Sequence, residues 1–346
     1  MSREQEKQRI LDALSVVQDP DLHKDIVTLN FIKNLAVCDG IVKFDLELTT
    51  PACPVKDVLK AEAEAAVMAL DGIEKVTINL TAHVKTSLPP SNKLGGVVKN
   101  VIAITSGKGG VGKSTCTVNI ATALAATGAK VGILDADVYG PNIPVMMGVT
   151  RRPEGKGKKL FPIKAHGVKT MSVGYLIEDG QPVMWRGPML HRALEQFLQD
   201  VEWGELDYLL IDMPPGTGDA QLSVAQLVPL TGIVVVTMPQ EVSLTDVRRA
   251  MGMAIEVKTP VLGVLENMAG EMFGEGGGKN IADAFDAPFL GSIPLQLELR
   301  KGGDAGIPSF VAAPDSEIGV MFGVIAGKIA AEVSKRQDFA LPVLEV

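Results

Sequence analysis

Gly107-Lys108-Gly109-Gly110-Val111-Gly112-Lys113-Ser114, with Thr115 directly behind it, is the stretch that decides how this chain folds. Apolar residues from Val101 to Thr105 lead into it with strand character, and a helical pattern from Lys113 to about Thr127 leaves it. Strand, glycine loop and helix in that order make a phosphate-binding loop. Glycines let successive backbone N–H groups converge on phosphate oxygens, and the helix turns its positive end toward the same anion. On this reading Gly107 to Thr115 cradle the phosphates of a nucleoside triphosphate. Lys113 neutralises the β- and γ-phosphates, and Ser114 offers a hydroxyl to Mg²⁺.

Two further strand ends carry carboxylates toward that loop. Asp212 closes the run Tyr208-Leu209-Leu210-Ile211, which puts it at the carboxyl edge of a strand, where an acidic residue holds the water shell of Mg²⁺. It opens Asp212-Met213-Pro214-Pro215-Gly216-Thr217-Gly218-Asp219, whose prolines and glycines suit a loop that senses the γ-phosphate. Asp135-Ala136-Asp137 follows the run Val131 to Leu134 in the same way. Triphosphate hydrolysis needs a positioned water and electrostatics rather than covalent chemistry. Asp137 is assigned to placing water or Mg²⁺, with turn capping as the other use of such a residue, and Asp135 is the more ambiguous of the two.

From Val97 onward strands and helices alternate, with strands expected at Val101–Thr105, Lys130–Leu134, Val168–Val173, Tyr208–Ile211, Ile233–Thr237, Val261–Leu265 and Phe289–Ile293. Several are unbroken apolar runs, as parallel strands covered on both faces require. A last helix is expected within Ile318–Lys335. The first ~85 residues read differently, as α-β-β-α-β, with Asp39-Gly40 as a hairpin turn and Val42, Phe44, Leu46 and Leu48 on one strand face. The expected fold is therefore α/β, a mostly parallel doubly wound sheet with a phosphate loop, preceded by a small α+β domain. The divisions are residues 1–85, a Pro- and Gly-bearing linker 86–98, the phosphate-loop domain 99–337 and a tail 338–346.

The net charge of −8 divides evenly, −4 on residues 1–90 and −4 on the remainder, so neither part has the basic excess of a nucleic-acid reader. Arg151 to Lys159 is a local basic run with no aromatics and reads as a solvated loop. No apolar run reaches the ~20 residues of a membrane span, and the charged start MSREQEKQRI lacks a signal-peptide core. Three cysteines, Cys38, Cys53 and Cys116, make no disulfide framework and fit a reducing, cytoplasmic setting.

The loop with its extra lysine Lys108, the Asp135-x-Asp137 pair and the Asp212–Asp219 segment together resemble the deviant phosphate-loop ATPases, which include MinD and ParA proteins, the nitrogenase iron protein and the Mrp/ApbC iron–sulfur carriers. Phe161-Pro162 through Trp185-Arg186-Gly187-Pro188, Pro239-Gln240, Glu266-Asn267-Met268 and Gly291-Ser292-Ile293-Pro294 look most like Mrp/ApbC. In the first domain, Asp19-Pro20-Asp21-Leu22, Asp25-Ile26-Val27 and Leu48 to Pro54 resemble the small domain of iron–sulfur assembly factors. This resemblance implies an ATP-dependent homodimer that takes clusters from a scaffold to apoprotein clients. It implies that Lys108 crosses the dimer interface to the partner's ATP, an arginine-finger role played by lysine. It also implies that Asn267 reads the adenine edge, with backbone near Pro294.

The chain departs from that family at one place. Mrp/ApbC carriers generally have Cys-x-x-Cys shortly after the ENM segment, and here Glu266 to Gly278 contains no cysteine. Cys116, within the helix after the loop, reads as a small buried hydrophobe, and the four histidines, His23, His83, His166 and His191, are scattered. Cys53 remains. It precedes the Val55–Leu70 helix, whose positive end is expected to lower the thiol pKa and make it nucleophilic or an iron–sulfur ligand, with outside ligands completing any cluster and a buried structural cysteine as the other reading. Three uses stay open at this point. They are an ATP-dependent cluster carrier with slow, switch-like hydrolysis, a regulatory ATPase of cluster assembly that holds no cluster, and a MinD/ParA-like spatial organiser. The tail Gln337 to Val346 lacks the basic amphipathic helix that a membrane-bound organiser would use.

Overall fold

The computed structural model describes residues 3–88, 94–176, 187–216, 221 and 227–337. Trp185-Arg186, Thr217 to Asp219, the middle of the linker and the tail 338–346 lie outside the described residues. Two compact units are formed, one from residues 1–85 with the chain from Ala330, the other from Thr86 to Ile329.

In the first unit the order is α1 (Arg3–Leu14), β1 (Ile32–Cys38), β2 (Ile41–Leu48), α2 (Lys56–Met68) and β3 (Lys75–Ala82). The turn between β1 and β2 has both Asp39 and Gly40 at positive φ, 47° and 75°, as a two-residue hairpin of matching twist requires. β2 is the middle strand, antiparallel to β1 and parallel to β3. Its alternation works as read: Val42, Phe44, Leu46 and Leu48 are buried. They pack with Ile10 and Leu14 of α1 and Leu59, Ala63 and Val67 of α2. Each such large apolar side chain contributes ~1.5–3 kcal/mol when fully buried.

The second unit is built on one eight-stranded sheet. Its strands are β4 (Gly96–Ser106), β5 (Val131–Asp135), β6 (Ile163–Ala165), β7 (Val168–Ser172), β8 (Gly204–Asp212), β9 (Gly232–Thr237), β10 (Val261–Ala269) and β11 (Phe289–Pro294), in the spatial order β6-β7-β5-β8-β4-β9-β10-β11. All neighbours run parallel except the edge strand β6, which turns back on β7 through His166 and Gly167, both at positive φ. The helices are α3 (Lys113–Ala126), α4 (Ile143–Met146), α5 (Gly187–Gln199), α6 (Glu241–Glu256), α7 (Gly277–Ala284), α8 (Leu297–Ala305), α9 (Ser309–Ala312) and α10 (Glu317–Gln337). Every residue of β5 and β9 is buried, the signature of strands covered on both faces.

Gly95 and Gly96, read from the sequence as flexible linker, have a different reason to be glycine. A Cβ on either would collide with neighbouring backbone, at Val201 for Gly95 and at Gly204 for Gly96. β4 therefore begins at Gly96, five residues before the expected Val101. Because β4 sits between β8 and β9 with strands continuing on both sides, its carboxyl end opens at the point where the strand order reverses, the place where ligands bind such sheets.

Candidate nucleotide-binding site

The loop leaving β4 is held in shape by its glycines. Gly110 and Gly112 have φ of 82° and 83°, a region costing a side-chain-bearing residue ~1–2 kcal/mol. A Cβ on Gly107 would lie 2.6 Å from the Asp246 backbone of α6, so the loop's first residue is glycine for close packing. A Cβ on Gly112 would run into the Asn267 side-chain amide, which donates from Nδ2 to the Val111 carbonyl at 2.8 Å. The helix α3 starts at Lys113, with Cys116 N donating to the Gly112 carbonyl at 2.9 Å.

Below the loop, Asp212 ends β8 and is 0% exposed. Its Oδ2 accepts from Ser114 Oγ at 2.6 Å and pairs with Lys113 Nζ at 2.7 Å, while its Oδ1 accepts from Thr117 Oγ1 at 2.7 Å. Lys113, 6% exposed, also lies 3.9 Å from Asp137 Oδ2. Burial is the main cause raising the Asp137 carboxyl pKa above its ordinary value, with Lys113 opposing it. Asp135 is structural in its contacts. Its Oδ1 accepts from Asp137 N at 3.1 Å, and its Oδ2 from Ser172 Oγ at 2.8 Å and Ile143 N at 3.3 Å, so it pins the start of α4. Burial, then the neighbouring Asp212 charge, pushes its pKa up to about 8. The oxygens of Ser114 and Asp212 meet beside the loop as an all-oxygen, hard donor set, which fits a magnesium ion.

Two adjoining cavities lie along this edge. One of about 240 Å³ is lined by Lys108, Lys113, Ser114, Asp137, Pro215 and Met268. The next, about 320 Å³, is lined among others by Asn142, Asn267, Met268, Pro294 and Leu299, and shares Thr115, Asn142, Met146 and Met268 with the first. The structure thus brings Lys108, Lys113, Ser114, Thr115, Asp137, Asn267 and Pro294 to one continuous groove. A larger cavity of about 700 Å³ adjoins it at Val145 and Asp304 but contains no residue of the loop. Lys108, half-buried, makes no ion pair among the described residues, and only its carbonyl is engaged, by Ser106 Oγ at 3.0 Å.

Glu266, beside Asn267 on β10, is a site residue that sequence reasoning quoted without a role. Buried, it accepts from Gly276 N at 3.1 Å and Ser292 Oγ at 2.8 Å on Oε1, and from Gly278 N at 2.7 Å on Oε2. It thereby fastens the amino end of α7 and the segment before it. That segment closes on itself, Gly270 N to Gly274 O at 3.0 Å and Gly274 N to Gly270 O at 2.8 Å. A carboxylate on an apolar strand, followed by glycines able to offer free N–H groups, is the signal that marks such a residue.

Cys53 corrects an expectation. Its thiol is not lowered by the helix end but pushed up to about 11, chiefly by burial, with Asp19 and Asp21 adding to the rise. The side chain packs on the apolar core of the first unit, and the desolvation this imposes outweighs the N–H groups near Val55. Cys116, fully buried, is pushed up to about 12, as a packed structural cysteine should be. Alkylation order tests this. With iodoacetamide at pH 8, exposed Cys38 is expected to react first and Cys116 only on unfolding. Cys53 should react about a hundredfold more slowly than a free thiol of pKa ~8.5, as peptide mass spectrometry would read it. Equal rates at Cys38 and Cys53 would refute the burial argument. Among the described residues no group of three or more His, Cys, Asp or Glu side chains is placed to hold a metal ion.

Residues 97–330 match the family model of the ParA type described as NUBPL iron-transfer P-loop NTPase. The chain belongs to that family. Residues 7–80 match a second model, described as iron–sulfur cluster assembly protein. Among curated relatives of this P-loop NTPase, the iron–sulfur cluster carrier protein of Synechocystis is 48% identical, covering 94% of this chain and 97% of its own length. The Escherichia coli K12 protein of the same description is 40% identical, covering 94% and 91%. Among solved structures, a nucleotide-binding protein in complex with ADP from Archaeoglobus fulgidus is 40% identical with a TM-score of 0.55, over 61% of this chain and 88% of that one. The cell division ATPase MinD of Pyrococcus furiosus is 25% identical with a TM-score of 0.54, over 66% and 98%. The MinD-like P-loop fold expected from the sequence is borne out, as is the likeness to Mrp/ApbC carriers.

Proposed function

We propose that this chain is an ATP-binding and slowly hydrolysing carrier of iron–sulfur clusters, working in the cytoplasm as a homodimer that ATP holds together. The observation carrying this is the Lys113–Ser114–Asp212 constellation under a glycine loop, in a chain whose other unit matches an iron–sulfur assembly model. The triphosphate lies along Gly107 to Thr115, and Lys113 leaves its internal carboxylates for the β- and γ-phosphates. Ser114 and Asp212 hold Mg²⁺, which when bound neutralises charge on the phosphates. The adenine occupies the cavity at Asn267 and Pro294. Lys108, with no ion pair among the described residues, serves the partner's ATP. Asp137 orients the attacking water, so Asp137→Ala is expected to keep ATP affinity while turnover falls about a hundredfold. Nucleotide titration beside phosphate release checks both halves, and a parallel loss of affinity would remove the assignment.

The cargo is an iron–sulfur cluster passed from a scaffold to apoprotein clients, with Cys53 of each subunit facing it and outside ligands completing the coordination. Metal binding to a protonated thiol proceeds with release of its proton. Anaerobic reconstitution with iron and sulfide, with and without ATP, tests this. Wild type should gain charge-transfer absorbance and activate an apoprotein, and Cys53→Ala should do neither. A specific observation favours a second reading, the regulatory ATPase that holds no cluster: the Gly270–Gly274 turn offers no thiol where the resembled family has two. In that case freshly purified protein carries no iron and gains no absorbance, yet stimulates assembly by other proteins in an ATP-dependent way. The MinD/ParA-like organiser predicts ATP-dependent sedimentation with liposomes or DNA, and the carrier reading predicts none.

A further inference from the structure

We propose that Thr117 is the positioning residue for Asp212, holding one carboxylate oxygen in place while the other changes partners as magnesium and nucleotide arrive. This rests on the ATPase reading above. The two oxygens of Asp212 are used differently. Oδ2 receives Ser114 Oγ and Lys113 Nζ, the two groups that reading sends to the metal and the phosphates. Oδ2 must therefore give up Lys113 Nζ when the site fills, while Ser114 can lend a lone pair to the metal and keep its proton on the carboxylate. Oδ1 receives Thr117, which has no other errand in the reaction.

The geometry of α3 makes this possible. Thr117 lies one turn beyond Lys113, on the same helix face, and is fully buried. A threonine inside a helix ordinarily satisfies its hydroxyl on the carbonyl four residues back. That carbonyl, Lys113 O, is within reach at 3.0 Å, but the Asp212 carboxylate stands closer at 2.7 Å. A hydroxyl has one proton, and an ionised carboxylate is the stronger acceptor. The β-branched side chain restricts χ1, so Oγ1 is aimed rather than free. Without it, a carboxylate with no solvent access loses the donor that holds Oδ1 among the described residues, and its terminal torsion has a broad well in which to wander.

The test is a magnesium titration of the full-length protein with a fluorescent ADP analogue, which reads the site without turnover. Wild type, Thr117→Val and Thr117→Ser are compared, with the melting temperature of each nucleotide-free protein. The valine protein is expected to need about tenfold more Mg²⁺ for half-saturation, with its magnesium-free nucleotide affinity unchanged. The serine protein is expected within about twofold of wild type, since it keeps the donor. A wild-type magnesium dependence in Thr117→Val, an equal loss in magnesium-free affinity, or failure of serine to restore the response overturns the proposal. Should Thr117→Val not fold, Thr117→Cys, unbranched like serine but a far weaker donor, is compared with Thr117→Ser on the same criteria. If wild type itself shows no magnesium-dependent nucleotide binding, the ATPase reading falls, and that outcome is distinct from a normal wild type beside a normal valine variant.

Discussion

Lys113→Ala is expected to remove nucleotide binding and, separately, to lower the melting temperature of the nucleotide-free protein. The first effect follows from losing the lysine that the proposal assigns to the β- and γ-phosphates, and a fall of about a hundredfold or more in affinity is expected. The second follows from the internal contacts of Lys113. Lys113 and Asp212 form an ion pair of 2.7 Å with both partners buried. Removing one partner of a buried pair leaves an uncompensated charge, at a cost of ~3–5 kcal/mol. The remaining acid also stands near Asp135, itself buried and held by three donors. Titration calorimetry and thermal melting read the two effects independently. Lost binding with unchanged melting would mean the pair contributes nothing to the resting fold. Retained binding would mean the loop is not the site.

Gly112→Ala is expected to weaken nucleotide binding by about a hundredfold while the protein remains folded. The residue has φ of 83°, where a Cβ costs ~1–2 kcal/mol. The same Cβ would enter the Asn267 amide, displacing it from the Val111 carbonyl and leaving a buried donor and acceptor apart, each worth ~1–3 kcal/mol. If the loop moves to relieve this, the backbone N–H groups that the proposal gives to the phosphates move with it. Gly110→Ala serves as comparison, because a Cβ there meets nothing within 4 Å and only the backbone strain applies. If the two alanine variants bind equally, the Asn267 contact is not what fixes the loop.

Much of this was legible in the residues, and the reasons differ from case to case. The phosphate loop and Asp212 could be read because their chemistry is local: a strand end, a few glycines and a helix start are all neighbours in sequence. The β2 pattern and Asp39-Gly40 were equally local. Gly95-Gly96 misled because glycine marks both flexibility and close approach, and only the strand lying beside it distinguishes the two. Edge strand β6 was missed because it is three residues long and turns at His166-Gly167, which is not a strong hairpin signal. Thr117 could not be read at all, since its partner is 95 residues away. Cys53 was misjudged because helix position is visible in sequence and desolvation is not.

Glu266 and Asn267 are adjacent on β10, yet they face opposite duties. One amide holds the Val111 carbonyl of the phosphate loop, and the carboxylate beside it anchors the Gly276–Gly278 backbone at the start of α7. Successive strand residues point to opposite sides, so a single peptide unit separates the two attachments. The segment fastened by Glu266 is the one where the resembled carriers keep their cysteine pair. The phosphate-loop backbone and the Gly276–Gly278 segment are thus held from adjacent residues of one strand. In this chain both attachments are made although the Glu266–Gly278 segment contains no cysteine, so their place on β10 does not depend on thiols there.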